Sequence, residues 1–86
     1  MTSLNVQKRD GKIQIFDRTK ISTSLINAGT DVEQAENITV QIENWSKENA
    51  KGGIILTKDI RIKLLELLKP INPEAALAYE KYKKNA

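Results

Sequence analysis

The chain has 86 residues, 40% hydrophobic but only 5% aromatic, and its 14 lysines and arginines against 11 acids leave a net charge of +3. That length suits one small domain, residues 1–86 with a core from about 5 to 84, whose burial rests on aliphatic side chains. Without cysteine or histidine, the chain has no disulfide, thiol nucleophile, cysteine zinc site or imidazole base to offer.

No apolar run approaches the roughly 20 residues that span a bilayer. Met1-Thr2-Ser3 leads into strand-like sequence rather than a basic and then apolar leader. The expectation is a soluble, cytoplasmic protein with no membrane partner, and the Met1 start favours a free-standing domain over an excised one. Charge is unevenly spread. Residues 1–20 carry five basic and two acidic groups, residues 31–48 one basic and five acidic, and residues 49–86 eight basic and four acidic. Two basic segments around an acidic one suit a local anionic ligand better than a long phosphate backbone, which usually calls for a broader basic excess.

The first elements expected are strands at 4–9 and 12–16, joined at Asp10-Gly11 by a two-residue hairpin turn with positive φ at both positions. Lys8 and Arg9, adjacent on the first strand, then start toward opposite faces. Asp17 is a good N-cap for a helix from about Arg18 to Ala28, with Phe16 ahead of it as a staple. Ile21, Leu25 and Ala28 share one face of that helix, and Gly29 ends it in the left-handed conformation. Thr30 or Asp31 caps a second helix, to about Asn49, with an inner stripe of Ala35, Ile38, Ile42 and Trp45. Its acids Asp31, Glu33 and Glu36 crowd the end that the helix dipole favours.

Gly52-Gly53 breaks that helix. Ile54-Ile55-Leu56 reads as a short buried strand, and Thr57 as the N-cap of a third helix through about Leu68. Six aliphatic residues cover more than half of that helix, which predicts a central, buried position. Pro70 stops it. Asn72-Pro73 starts a last helix, with Asn72 as cap and Pro73 in the first turn, an inner face of Ala75, Ala78, Tyr79 and Tyr82, and a fraying tail from Lys83 to Ala86. The fold class expected is α+β. A small three-stranded sheet, the N-terminal hairpin plus one short strand, packs over a four-helix bundle, because so few strands do not stand alone.

Catalytic patterns are scarce. Lys51-Gly52-Gly53 lacks the spacing and the hydroxyl of a phosphate loop, and no carboxylates show the spacing of an acid and base pair, so the expectation is a non-enzyme. Anion binding has more support. Lys20 sits in the first turn of its helix, where a cation opposes the dipole by about 0.3–1 kcal/mol, and an anion bound there reverses that sign. Thr57 and Arg61 repeat the arrangement one helix later.

The stretch VQKRDGKIQIFDRTKISTSLINAG resembles the opening of an ATP-cone domain, through Val6, Lys8, Arg9, Asp10, Gly11, Phe16, Asp17, Lys20 and Ile21. LTKDIRIKLLELL resembles the family's segment before its long apolar helix, and PEAALAYEKYKK its final helix. Together they span about Asn5 to Lys84. The resemblance implies a non-catalytic regulatory domain that senses ATP or dATP, with Mg2+ as a companion ion, and acts through assembly with its own copies or on a partner enzyme or regulator, as in ribonucleotide reductases and the repressor of reductase genes. It implies a nucleotide held between sheet and bundle. Val6 would border the base, Lys8, Arg9 and Lys20 would meet phosphates or the base edge, and Thr57 and Arg61 phosphates or ribose. Asp17 belongs to the same motif. Gln14 stands where the family often has an acid, and would accept a hydrogen bond from the base edge. Arg61 stands where the family often has histidine, which favours phosphates. The rival reading is a small nucleic-acid-binding protein using Lys8, Arg9, Lys12, Lys81, Lys83 and Lys84. The acidic second helix and the lack of aromatics for base stacking count against it.

Overall fold

The computed structural model describes residues 4–84, the side chains of 82–84 excepted. Strands β1 (Asn5–Gln7) and β2 (Ile13–Ile15) are followed by helices α1 (Arg18–Ala28) and α2 (Val32–Asn49), strand β3 (Ile54–Leu56), and helices α3 (Thr57–Leu68) and α4 (Pro73–Lys84). This is the expected α+β order. Helix α4 runs through Lys83 and Lys84, where fraying was expected to begin; the expected inward position of Tyr82, the tail at Asn85 and Ala86, and the Lys83 and Lys84 side chains of the rival reading fall on residues or side chains outside those described.

The hairpin turn differs from expectation. The Lys8 N–H donates to the Lys12 carbonyl at 2.8 Å, and the Gly11 N–H to the Lys8 carbonyl at 2.9 Å. Gly11 has φ 89°, whereas no described non-glycine residue has positive φ. The loop is therefore three residues, Arg9-Asp10-Gly11, closed by a left-handed glycine. The Asp10 carboxylate accepts from the Lys12 N–H at 3.0 Å, the self-bonding that suits aspartate to turns. The strands end sooner than expected, and Lys8 and Arg9 leave the sheet, so strand alternation no longer governs them. The two-residue turn with two positive φ angles occurs instead at Gly52 (60°) and Gly53 (79°). There Lys51 and Ile54 each donate an N–H to the other's carbonyl, at 2.9 and 3.1 Å.

β1 is the central strand, antiparallel to β2 and parallel to β3. Its register places Val6 opposite Gln14 and Ile55, and the rows on either side hold Asn5, Ile15 and Ile54, and Gln7, Ile13 and Leu56. Neighbours across a register share a face, and alternate rows face opposite ways. Ile55 is buried and Val6 packs on the core, so their row faces the helices. Ile13, Ile15 and Leu56 are exposed on the other side. The reading of Ile54-Ile55-Leu56 as a buried strand thus holds only for Ile55, because one face of this sheet is uncovered.

The helices form a ring in which α1 touches α2 and α4, and α3 touches the same two. Leu25, Ile38, Ile42, Leu64 and Leu68 fill its interior. Asp17 caps α1 by accepting from the Thr19 N–H at 3.0 Å. Gly29, at φ 121°, closes it, and Thr30 donates back to the Leu25 carbonyl, a Schellman ending. Asp31, not Thr30, caps α2 in a capping box with Gln34. Asn72 caps the start of α4 through the Ala75 N–H at 3.1 Å.

Three expectations for the helices are corrected. The buried stripe of α2 includes Thr39 and Ser46, and Trp45 is only partly covered, since the inner face centres between positions 42 and 46. α3 is not central: Ile60, Leu64 and Leu68 are buried, but Ile62 is exposed on the outside of the ring. In α4 the buried alanines are Ala75 and Ala76, and Ala78 is exposed.

Candidate functional site

Between the sheet, α1, α3 and α4 lies a pocket of about 160 Å³. Val6 and Gln14 reach it from the inner row of the sheet. Asp17, Lys20, Ile21 and Ser24 reach it from the start of α1, and Thr57, Ile60 and Arg61 from the start of α3. Within each helix those positions lie three or four apart, on one face. Ile15, Phe16 and Tyr79 complete the lining, and the surroundings are mainly apolar.

A wider groove of about 580 Å³ adjoins it, lined by Lys8, Arg9, Asp10, Thr57, Lys58, Arg61, Ile62 and Leu65. The two meet along Lys8, Thr57 and Arg61, which line both. Of the residues expected from the sequence, Val6, Lys8, Gln14, Asp17, Lys20, Thr57 and Arg61 surround the first pocket. Arg9 stands apart, on the groove alone. It does so because it occupies the hairpin loop rather than the strand.

Thr57 does not cap α3. The N-cap position is Leu56, which offers no side-chain acceptor, and the Thr57 hydroxyl donates to the Gln7 carbonyl at 3.0 Å. The bond ties the end of β1 to the start of α3, where Thr57 lines both pocket and groove. The first N–H groups of α3 have no side-chain cap and keep their donor character.

The cations here lack carboxylate partners among the described residues. No carboxylate among the described residues lies within 4.0 Å of Lys8, Arg9, Lys20 or Arg61. Arg18, outside both pockets, is by contrast 3.8 Å from both Glu36 and Glu43. The Arg61 Nη2 donates to the Glu80 carbonyl at 3.5 Å, and its buried Nε–H has no partner. A guanidinium with one long bond and one unmet donor is poorly satisfied, which leaves it available to an incoming acceptor. Tyr79 is buried beside it. Burial pushes the Tyr79 phenol above its ordinary value, and the Arg61 charge partly offsets this.

Sequence reasoning passed over Ser24, Ile60 and Tyr79 as site residues. Ser24 stands one turn after Lys20, Ile60 one turn after Thr57, and Tyr79 among the residues assigned only to the core. For Ser24 and Ile60 the helical spacing was a usable signal; for Tyr79, the one α4 residue in the lining, no sequence signal pointed to the site. No helix of the described residues is long and apolar enough to cross a membrane.

The model of the ATP cone domain family matches residues 4–85. No curated protein matches the chain.

Proposed function

The chain belongs to the ATP-cone family, whose domains bind adenine nucleotides as regulatory sensors and are not catalytic by themselves, and from that premise we propose that this domain binds ATP or dATP across its two adjoining pockets and passes the signal on through assembly or a partner protein. The observation that supports this most is that a small pocket opens onto a wider groove rich in cations, the two sharing Lys8, Thr57 and Arg61. The first is mainly apolar and, at about 160 Å³, well below the roughly 300–1,000 Å³ of pockets for drug-sized ligands. It suits one part of a nucleotide, the base. The groove beside it has four cations, Lys8, Arg9, Lys58 and Arg61, against the single acid Asp10, and suits a triphosphate.

In this reading Val6, Ile21 and Ile60 sandwich the adenine, and Gln14 meets its edge. Lys8 and Arg61, which line both pockets, take the phosphates nearest the sugar. Arg9 and Lys58 take those beyond, beside the open N–H groups of α3. Lys20 and Asp17 flank the ribose. Among the described residues no group of three or more acids stands together as a metal site. Any Mg2+ would therefore be carried by the phosphates and their waters, as this ion usually is.

Calorimetric titration with ATP, dATP, GTP and a short DNA duplex tests the reading. ATP or dATP should bind more tightly than GTP. Equal affinity for GTP would overturn the assignment of the base. Salt-dependent binding of the duplex, with no heat from any nucleotide, would favour the nucleic-acid reading instead.

A further inference from the structure

Four neutral polar side chains stand in the lining of the smaller pocket: Gln14, Ser24, Thr57 and Tyr79. The Thr57 hydroxyl is spent on the Gln7 carbonyl. Tyr79 is buried beside Arg61 and has interactions of its own. Gln14 is exposed, whereas Ser24 is partly buried. A serine inside a helix can turn its hydroxyl back to the carbonyl four residues before, which here belongs to Lys20. Ser24 makes no such bond, nor any other hydrogen bond among the described residues. A partly buried hydroxyl in an apolar pocket, with no partner in the protein, is an open place for a ligand atom.

We propose that Ser24 reads the adenine ring, its hydroxyl donating a hydrogen bond to N1. This rests on the nucleotide reading and gives the base a second contact, from α1, opposite in origin to that of Gln14 on the sheet. Position selects the base as the part of the ligand that Ser24 meets. The pocket joins the groove at Lys8, Thr57 and Arg61, so a nucleotide with its phosphates in the groove carries its base inward from there. Ser24 lines the pocket and not the groove. Asp17 and Lys20, which flank the ribose, stand at the start of α1. Ser24 follows Lys20 by one turn on the same face, about 6 Å along the axis, a step comparable to that from a ribose to the far ring of its purine. The bonding pattern then selects the atom. An amide paired with adenine ordinarily takes N6 and N7, which leaves N1 and N3 to Ser24. N3 lies beside the sugar, and N1 lies on the edge that leads inward. N1 of adenine is an acceptor without hydrogen, and a serine hydroxyl can donate to it.

Calorimetric titration of ATP and of 1-deaza-ATP, in which carbon replaces N1, into the parent chain and Ser24→Ala tests this. The parent should bind 1-deaza-ATP roughly two- to twelvefold more weakly than ATP, the range for one neutral hydrogen bond. Ser24→Ala should bind ATP more weakly by the same factor and no longer tell the two ligands apart. Alanine is the better helix former, so the thermal midpoint of the variant should not fall, and a loss of affinity is then a loss of contact. Equal affinity of the parent for the two ligands overturns the proposal, and this arm needs no variant. Parental affinity for ATP in Ser24→Ala overturns it too, since a serine present only for its small size is replaced by alanine without effect. So does a 1-deaza-ATP deficit that persists in Ser24→Ala, because N1 would then be bonded elsewhere. In all three of these outcomes ATP still binds and the nucleotide reading stands. A parent that takes up no heat from ATP ends that reading, and the role of Ser24 with it.

Discussion

The two faces of the sheet are built from the same nine residues and do opposite things. The inner row of Val6, Gln14 and Ile55 faces the helices, with Ile55 closing the core and Gln14 placed against the pocket. The outer rows carry more aliphatic surface than the inner one, yet Ile13 and Ile15 meet no core. Hydrophobicity alone therefore did not choose the face. In a strand of period two, a slip of one residue exchanges the faces. Here the register turns Gln14, itself exposed, toward the pocket and leaves two isoleucines in the outer rows. That choice makes sense if the inside must present a hydrogen-bonding group to a ligand.

The largest effect should come from cutting the inner row. Ile55→Ala removes a buried side chain and should destabilise the domain by about 2–5 kcal/mol, the usual range for such truncations. Ile15→Ala, on the outer face, should change stability by about 0.5 kcal/mol or less. Urea denaturation of the two variants checks this directly. Similar losses for both would mean that the outer face is covered in solution.

Next in size are the cations at the mouth of the site. Lys8→Ala and Arg9→Ala should each weaken ATP binding roughly ten- to a hundredfold, the range for a charge-assisted contact, with thermal stability kept. Arg9 touches only the open groove, so its loss should be felt for ATP and not for adenosine. Lys12 lines neither pocket, and Lys12→Ala should bind as the parent does. Wild-type affinity in both the Lys8 and Arg9 variants would place the phosphates elsewhere.

Tyr79 connects the floor of the pocket to pH. Its phenol is raised in the folded state by burial, with Arg61 opposing. The folded protein then holds this proton more tightly than the unfolded chain does. The stabilisation is complete below the ordinary tyrosine value of about 10 and is lost as pH rises through the folded value. Denaturation of the parent and of Tyr79→Phe should therefore differ in slope with pH only on the alkaline side. Parallel curves there would show that the phenol is not buried in solution.

Much of the fold was legible because its signals are local. Asp17, Gly29 and Asn72-Pro73 bound helices through hydrogen bonds made within a few residues, and those helices begin and end where such chemistry predicts. The site was legible mostly as far as motif residues lie on helix faces: Lys20 with Asp17, and Arg61 with Thr57. What was not legible depends on contacts distant in sequence. The parallel pairing of β1 with β3 bridges about 50 residues. It takes the Thr57 hydroxyl to the Gln7 carbonyl, and so away from capping. The turn at Asp10-Gly11 misled for a different reason: Asp10 is bonded to the Lys12 N–H, and the loop takes one more residue than the dipeptide suggests.

The smallest effect expected, and the sharpest on the two faces, belongs to Gln14. If Gln14, itself exposed, only lines the wall, Gln14→Leu should bind nucleotide as before and keep the parent's stability. If it serves as a hydrogen-bonding partner of the base, the leucine keeps the shape of the wall but removes one neutral hydrogen bond. Such a bond contributes about 0.5–1.5 kcal/mol, or roughly two- to twelvefold in affinity. The loss should fall on ATP more than on GTP, because only the fitting base makes the bond, and discrimination between the two should narrow by the same factor. Paired titrations of ATP and GTP into the parent and Gln14→Leu measure this as a ratio, in which any general loosening of the pocket cancels. An unchanged ratio would remove the ligand from the explanation of the register. The inverted strand would then answer to the outer face alone, where Ile13 and Ile15 are displayed.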